Sequence, residues 1–200
     1  MTTVPHRKIP DDPDFVPNDG REDLNPKDVH FWTLVAEDYR THGSDFFSQG
    51  FWALFWHRFG NWRMGVKPWF LRAPFSLFYK VMFKLTEILC GISIPYTVRV
   101  GRRVTLEHFG GMVLVAHTIG NDVIVRQNTT FGIVGLDDLS GRPIIGNNVE
   151  LGASVVILGR IRIGDGAKVG AGAVVVRDVP SGVVVGGVPA RVLKYTPSKS

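Results

Sequence analysis

An apolar residue returns at every sixth position through the second half of the chain, and this period restricts the fold more than any other feature. One residue is added between Met112 and Ile119, and eight are added between Phe131 and Ile145. Glycine often follows the apolar residue directly, as at Gly152. The thirteen apolar positions are Ile94, Val100, Leu106, Met112, Ile119, Val125, Phe131, Ile145, Leu151, Ile157, Ile163, Val169 and Val175.

A period of six fits neither a helix face nor ordinary antiparallel strands, which repeat every 3.6 and every two residues. It fits a three-sided parallel β-helix, in which each hexapeptide supplies one short strand and one corner. Three hexapeptides make one turn, so the thirteen apolar positions predict about four turns. A β-sandwich with frequent turns is the alternative, and the constant register over so many repeats argues against it.

The first half of the chain has a different composition, because 17 of the 22 aromatic residues lie between Phe31 and Phe83. Phe51, Phe55 and Phe59 recur at helical spacing, and further helices are predicted at about 27–41, after a cap at Asn25-Pro26, and at about 74–90. We expect the aromatic stripe to pack against the other helices. The alternative is a helix in weak contact with a membrane surface.

We expect residues 1–26 to be poorly ordered, 27–91 to form an α-helical region, 92–193 to form the β-helix, and 194–200 to be a tail. No apolar stretch is long and uninterrupted enough for a transmembrane helix. The net charge of +5 agrees with anionic ligands without selecting one. The single cysteine, Cys90, excludes an intrachain disulfide framework and a multi-cysteine zinc site, and with no signal peptide we expect a cytoplasmic protein.

The repeats and the segments around them resemble the serine acetyltransferase branch of the hexapeptide acyltransferases over about residues 49–193. In the helical part the resemblance rests on Gly50-Phe51-Trp52-Ala53-Leu54 and on His57-Arg58 followed by Trp62. In the repeats it rests on Leu106-Glu107-His108, Gly152-Ala153, Ile157-Leu158-Gly159, the run Gly164 to Gly172, and Gly187-Val188-Pro189-Ala190-Arg191. The resemblance implies a mainly β fold, a left-handed parallel β-helix of hexapeptide repeats preceded by a small α-helical N-terminal region.

It also implies an acetyl-CoA-dependent O-acetyltransferase, with acetyl-CoA as co-substrate and no metal. His108 matches the family's catalytic base, and a neutral imidazole near pH 7 suits that role. Glu107 is its acidic neighbour, and His117 is the competing candidate. The family forms homotrimers with active sites between subunits, and pairing of trimers is left open. We expect no nucleic acid partner. By the same resemblance, the positions that bind the cofactor are Ala153, Lys168, Ala171 and Arg191.

Two departures from the family pattern concern the acceptor. Ser93 occupies the position of an aspartate that orients the catalytic histidine, and Arg142-Pro143 replaces a histidine before proline near the acceptor. Arginine is permanently charged, so Arg142 is predicted to bind a carboxylate or a phosphate. Asp38 is the other predicted acceptor-binding residue.

The acceptor is therefore serine or a similar small hydroxy compound, or alternatively a sugar or surface-polysaccharide precursor. A third hypothesis is that the chain is not an enzyme but a β-helix that only scaffolds a partner. A metal-dependent hydratase on the same fold is disfavoured, because it would need three histidine ligands.

Overall fold

The structure is a computed structural model that describes Phe15, residues 18–133 and residues 141–195. Within these residues, three α-helices precede a series of short β-strands. The helices are α1 (Phe31–Thr41), α2 (Gln49–Trp62) and α3 (Trp69–Cys90), and a short 3₁₀ turn (Arg63–Gly65) follows α2. The structure thus has the predicted order of a helical region followed by strands.

The helix boundaries follow local capping. The Ser48 hydroxyl accepts a hydrogen bond from the Phe51 amide at the start of α2. α3 ends at Gly91, whose φ of 63° is the left-handed conformation that favours glycine. α1 begins later than predicted, so Asn25-Pro26 is not its cap. α3 begins earlier than predicted and contains Pro74 inside the helix.

The strands form three sheets, and the chain visits the three sheets in turn. The first sheet, face A, contains β1 (Ile92–Ser93), β4 (Met112–Leu114), β7 (Thr130–Gly132), β10 (Val156–Leu158) and β13 (Val174–Val175). Face B contains β2 (Arg99–Val100), β5 (Thr118–Ile119), β8 (Ile144–Ile145) and β11 (Arg162–Ile163). Face C contains β3 (Thr105–Glu107), β6 (Ile124–Arg126), β9 (Glu150–Leu151), β12 (Lys168–Val169), β14 (Val183–Gly186) and β15 (Arg191–Tyr195).

All strand pairs are parallel except β14 with β15, which closes face C antiparallel. This arrangement is a three-sided β-helix of about five turns, one more than predicted. The additional turn comes from Ile92 at the start and from β14 at the end, where the step of six is lost after Val175.

The strand register divides the shorter of the two insertions between two corners. Met112 pairs with Ile92 and Leu114 pairs with Phe131, and both side chains are buried, so both point into the coil. Counted through Leu114, the step from Leu106 is eight residues and the step to Ile119 is five, so the single added residue is the sum of two more at the corner of His108 and one fewer before Ile119. The coil is therefore irregular on both sides of β4, next to His108 and next to His117.

The interior of the coil is a ladder of buried aliphatic side chains. Phe131, Ile157 and Val175 stack on face A, and residues such as Ile119 and Leu151 do the same on the other two faces. Each coil covers the open edge of the previous one by parallel main-chain hydrogen bonds. The interior is therefore a continuous apolar core, from which each corner projects.

The helices are held on the first coil by polar contacts. Arg102 donates to Glu37 on α1, with Nε 3.0 Å from the carboxylate, and this contact keeps the pKa of Glu37 below its ordinary value. Gly50 on α2 lies so close to the main-chain oxygen of Leu106 that no side chain fits there. The buried face of α2 combines small and polar residues with Phe51 and Leu54, whereas the rest of the predicted aromatic stripe faces the other helices and is partly exposed.

The segment before α1 makes defined contacts, contrary to the expectation for residues 1–26. Asn18 donates to the Thr97 carbonyl, and Asn25 donates to the Arg58 carbonyl at 3.0 Å. The Leu24 amide donates to the Asn61 side chain. The same expectation for residues 1–14, 16 and 17 lies outside the described residues, as does that for tail residues 196–200, whereas residues 194 and 195 belong to β15. None of the described helices is both long and apolar enough to cross a membrane.

Candidate active site

His108 lies at the corner between faces C and A of the first coil. Its backbone has a φ of 64°, in the left-handed region that few non-glycine residues occupy. Gly110 and Gly111 follow, also with positive φ. The side chain of His108 is exposed, and within the described part of the chain no hydrogen bond or ion pair includes its imidazole. The corner therefore presents a free imidazole at the surface.

The strand register aligns His108 with residues of the following coils. Leu106 pairs with Val125, Val125 with Leu151, and Leu151 with Val169. Two residues beyond these partners lie His108, Gln127, Ala153 and Ala171, in that order along one edge of the prism. Neighbouring strands are about 4.8 Å apart, so this edge column spans about 14 Å. The structure thus aligns the predicted base with two predicted cofactor positions, which lie two and three coils further along the same edge.

Gln127 was not among the sequence-predicted residues. Its Oε1 is buried and has no hydrogen-bond partner among the described residues. Its place next to His108 in the edge column follows from the repeat phase, since the two residues are one coil apart. The repeat phase is thus a signal by which sequence reasoning could have found it.

Glu107 points outward from face C and is bonded to the next coil. Arg126 Nε lies 2.8 Å from a carboxylate oxygen of Glu107, and the two residues are register partners. Both side chains are about one-third exposed. Glu107 is therefore next to His108 in sequence but interacts with Arg126 rather than with the imidazole.

His42 fixes the strand that precedes His108, and sequence reasoning missed it. Its Nε2 accepts a hydrogen bond from the Leu106 amide at 3.1 Å, and its Nδ1 lies 2.7 Å from the Asp38 carbonyl. Burial lowers the pKa of His42, which keeps the ring neutral and able to accept this bond. Its partner strand lies more than sixty residues away, so nothing local in the sequence indicates the role.

Asp38 is part of a buried clamp between the helices and the first coil. Arg58 Nε lies 2.9 Å from the Asp38 carboxylate, and both side chains are essentially inaccessible to solvent. Arg58 also donates to the carbonyls of Val100, at 2.7 Å, and Gly101, at 2.6 Å. Because both carboxylate oxygens of Asp38 are bonded to Arg58, this geometry argues against the acceptor-binding prediction for Asp38.

His57 completes the clamp. Its Nε2 lies 3.0 Å from the Val98 carbonyl, which requires the tautomer with the proton on Nε2. Burial, reinforced by the charge of Arg58, lowers the pKa of His57 to about 3. The His57-Arg58 motif therefore has a structural role in this chain.

Arg142 and His117 lie at another corner, between faces A and B. The His117 amide donates to the Pro143 carbonyl at 2.8 Å, which brings the residue after Arg142 onto the coil of His117. His117 Nδ1 is 3.0 Å from the Thr118 hydroxyl, and the Phe15 ring lies 6.5 Å from the His117 ring. Within one chain, therefore, neither residue is in the edge column of His108.

Ser93 and the two remaining cofactor positions have local partners. The Ser93 hydroxyl donates to Glu87 at 2.7 Å, so a carboxylate from α3 stands next to the position of the family's aspartate. Lys168 is ion-paired with Glu150 at 2.8 Å on face C, three residues before the edge column. Arg191 lies on β15 beside a surface depression of about 280 Å³. Within the described ranges, no cluster of His, Cys, Asp and Glu has the geometry to hold a metal ion.

The three-sided coil of hexapeptide repeats places this protein in the class of hexapeptide-repeat transferases. The family model for the bacterial transferase hexapeptide (six repeats) matches residues 142–177. The chain is 34% identical over 149 residues to the serine acetyltransferase of Synechococcus elongatus, covering 72% of this chain and 57% of that protein. It is 40% identical over 121 residues to the putative colanic acid biosynthesis acetyltransferase WcaB of Escherichia coli K12, covering 60% of this chain and 72% of that protein.

Among solved structures, the serine acetyltransferase of Neisseria gonorrhoeae superposes with a TM-score of 0.70 at 28% identity, covering 84% of this chain and 67% of that one. The chain belongs to the hexapeptide-repeat acyltransferases and is similar to their serine acetyltransferase branch. The predicted fold class, a left-handed parallel β-helix after a small helical region, is confirmed. The chain spans little more than half the length of the first serine acetyltransferases that it matches.

Proposed function

We propose that this protein is an acetyl-CoA-dependent O-acetyltransferase in which His108 is the catalytic base. The observation that carries the proposal is the edge column, in which an exposed, unpartnered imidazole is aligned with Ala153 and Ala171. The His108 imidazole removes the proton from the acceptor hydroxyl while the hydroxyl oxygen attacks the thioester carbonyl carbon. The C–S bond then breaks, and the coenzyme A thiolate leaves and takes up the proton.

Acetyl-CoA would lie along the edge column, where alanine side chains leave room for pantetheine next to the main chain. Lys168 and Arg191 are the cations proposed to meet its phosphates. Glu150 already neutralises part of the charge of Lys168, so the phosphate must compete with a neighbouring carboxylate. Among these cations, Arg191 therefore has the stronger claim to a direct phosphate contact.

The proposed active unit is a homotrimer with one site between each pair of subunits. Phe109 and Val113 adjoin His108 and expose 60% and 42% of their surface, so a neighbouring subunit has apolar surface to cover there. Arg142 lies at a different corner from His108 in its own chain. In a ring of three, the neighbouring subunit would supply Arg142 to the His108 site.

The acceptor is proposed to be serine or a similar small hydroxy compound. A sugar or surface-polysaccharide precursor is the second candidate, and the match to WcaB over 72% of that protein's length favours it. Arg142 suits either choice, because its guanidinium binds a carboxylate or a phosphate with two parallel hydrogen bonds. A cytoplasmic location is part of the same proposal and agrees with the free thiol of Cys90.

A coenzyme A release assay with a panel of amino acids and nucleotide sugars tests the proposal. Turnover with serine supports the first acceptor class, and turnover with sugars alone supports the second. Light scattering of the same preparation should give the mass of three chains. Absence of turnover with every acceptor, together with absence of acetyl-CoA binding by calorimetry, would instead support a non-catalytic scaffold.

A further inference from the structure

The outward face of α3 is apolar over its whole length. Trp69, Phe70, Leu77, Ile88 and Leu89 each expose between 61% and 73% of their surface. Phe70, Leu77 and Ile88 are separated by seven and eleven residues, so they project from one side of the helix. The buried residues Tyr79, Thr86 and Cys90 lie on the opposite side. A helix whose apolar side faces away from its own protein requires a partner.

The apolar face continues beyond α3 onto the other helices. Phe78 packs edge-on against Trp56, with ring centroids 5.6 Å apart. Both rings line a cavity of about 340 Å³ whose walls are aromatic apart from His30. Trp32 on α1 borders the same cavity and is 65% exposed. The three helices therefore share one apolar surface on the side away from the first coil.

Cations outnumber carboxylates along α3 and the segment before it. Between Asp45 and Glu87 the chain contains six cationic residues and no acidic residue, and four of the six remain for this surface because Arg58 and Arg63 are buried. Lys80 and Lys84 are exposed and flank the apolar stripe of α3. Glu87, the first carboxylate after them, already accepts hydrogen bonds from Lys84 and from Ser93. The surface thus combines apolar side chains with exposed cations, of which Lys84 is paired with Glu87 and Lys80 has no ion pair among the described residues.

We infer that this face docks the protein on an anionic lipid bilayer, with α3 lying in the plane of the surface. Its 22 residues give a helix about 33 Å long. Leu77 and Ile88 would enter the acyl boundary, Trp69 would lie at the headgroup level, and Lys80 and Lys84 would meet lipid phosphates. The inference is independent of the proposed catalytic site, which is on the β-helix.

A second copy of the chain fits this face less well than a bilayer. An interface between two identical faces would bring Lys80 and Lys84 of one copy close to those of the other. Lys84 is paired with Glu87 in its own chain, so Lys80 is the exposed cation of α3 that has no ion pair among the described residues. Two unpaired lysines that face each other oppose such an association. An anionic surface, in contrast, neutralises the same cations.

Vesicle co-sedimentation of the full-length protein tests the inference. We expect binding to phosphatidylcholine vesicles that contain roughly 30 mol% phosphatidylglycerol, and much weaker binding to pure phosphatidylcholine. Lys80→Gln should weaken binding about fivefold. The double variant Leu77→Gln/Ile88→Gln should weaken it about tenfold or more.

Leu193→Gln is the matched control, because Leu193 on β15 and Leu77 on α3 are both 67% exposed. This control should bind the anionic vesicles as the unmodified protein does. Circular dichroism and light scattering establish that each variant is folded and has an unchanged mass. Equal binding by all variants, or no binding by the folded protein, would overturn the inference. So would a fall in oligomer mass in the double variant without vesicle binding by the unmodified protein, since the face would then join copies of the chain.

Discussion

Replacement of Arg58 by methionine removes the centre of the clamp that joins the helices to the first coil. Methionine fills a similar volume but carries neither the charge nor the donors. The Asp38 carboxylate then stays buried without a counter-charge, and the carbonyls of Val100 and Gly101 lose their donors. The variant therefore probes a structural contact rather than the chemistry at His108.

The expected loss can be worked out from these contacts. Breaking a buried ion pair by removing one partner costs about 3 to 5 kcal/mol, because the remaining charge is uncompensated. Each buried carbonyl left without a donor adds about 1 kcal/mol or more. We therefore expect Arg58→Met to lower the free energy of unfolding by about 5 kcal/mol, a large fraction of the 5 to 15 kcal/mol typical of a domain.

Urea unfolding followed by circular dichroism measures this loss, with protein concentration held constant because assembly affects apparent stability. The double variant Asp38→Asn/Arg58→Met removes the orphaned charge and should recover about 2 kcal/mol relative to Arg58→Met. A loss below about 1 kcal/mol in Arg58→Met would refute the assignment of Arg58 as a buried clamp.

Three further predictions concern the β-helix and the clamp that joins it to the helices. Burial lowers the pKa of His57 to about 3 in the folded protein, whereas the same residue in the unfolded chain has a pKa of about 6.5. Below that pH the unfolded chain binds a proton that the folded protein does not, so the free energy of unfolding falls as the pH falls. Urea unfolding should therefore lose about 2 kcal/mol between pH 7 and pH 5, and His57→Gln should lack this part of the pH dependence. Gly101→Ala would bring a Cβ within 2.6 Å of the Gly120 main chain, so its free energy of unfolding should fall by about 1 to 3 kcal/mol. Gly43→Ala is the control for positive φ alone, because no atom lies near the added Cβ, and it should lose about 1 kcal/mol. Ala171→Phe should raise the KM for acetyl-CoA about tenfold or more with the coil intact, and an unchanged KM would remove Ala171 from the cofactor groove.

The fold was predictable because apolar residues recur every six positions through nearly every turn of the β-helix. The course of the chain through the short insertion was not, since Met112 and Leu114 are both apolar and point to the same side of the strand. Only the strand register shows that Met112 pairs with Ile92 and Leu114 with Phe131. The face of α2 that packs on the coil was not predictable from the aromatic spacing. It includes Gly50, whose lack of a side chain allows contact with the coil.

Part of the candidate site was also predictable from the repeat phase. His108, Ala153 and Ala171 recur at equivalent positions of their hexapeptides, and a regular coil aligns equivalent positions on one edge. Asp38 is different, because its partner Arg58 comes from another helix, twenty residues away. An isolated carboxylate in the sequence fits an acceptor-binding acid and a buried ion pair equally well. Only tertiary structure distinguishes the two roles.

The most direct test of the catalytic role compares His108→Ala with His117→Ala in the coenzyme A release assay. Both residues lie at corners of the coil, so His117→Ala is the matched control for loss of a corner histidine. We predict that His108→Ala lowers kcat by about 10²- to 10⁴-fold with acetyl-CoA binding retained, and that His117→Ala stays within a few-fold of the unmodified protein. Loss of activity in His117→Ala alone, or full activity in folded His108→Ala, would contradict the assignment of His108 as the base.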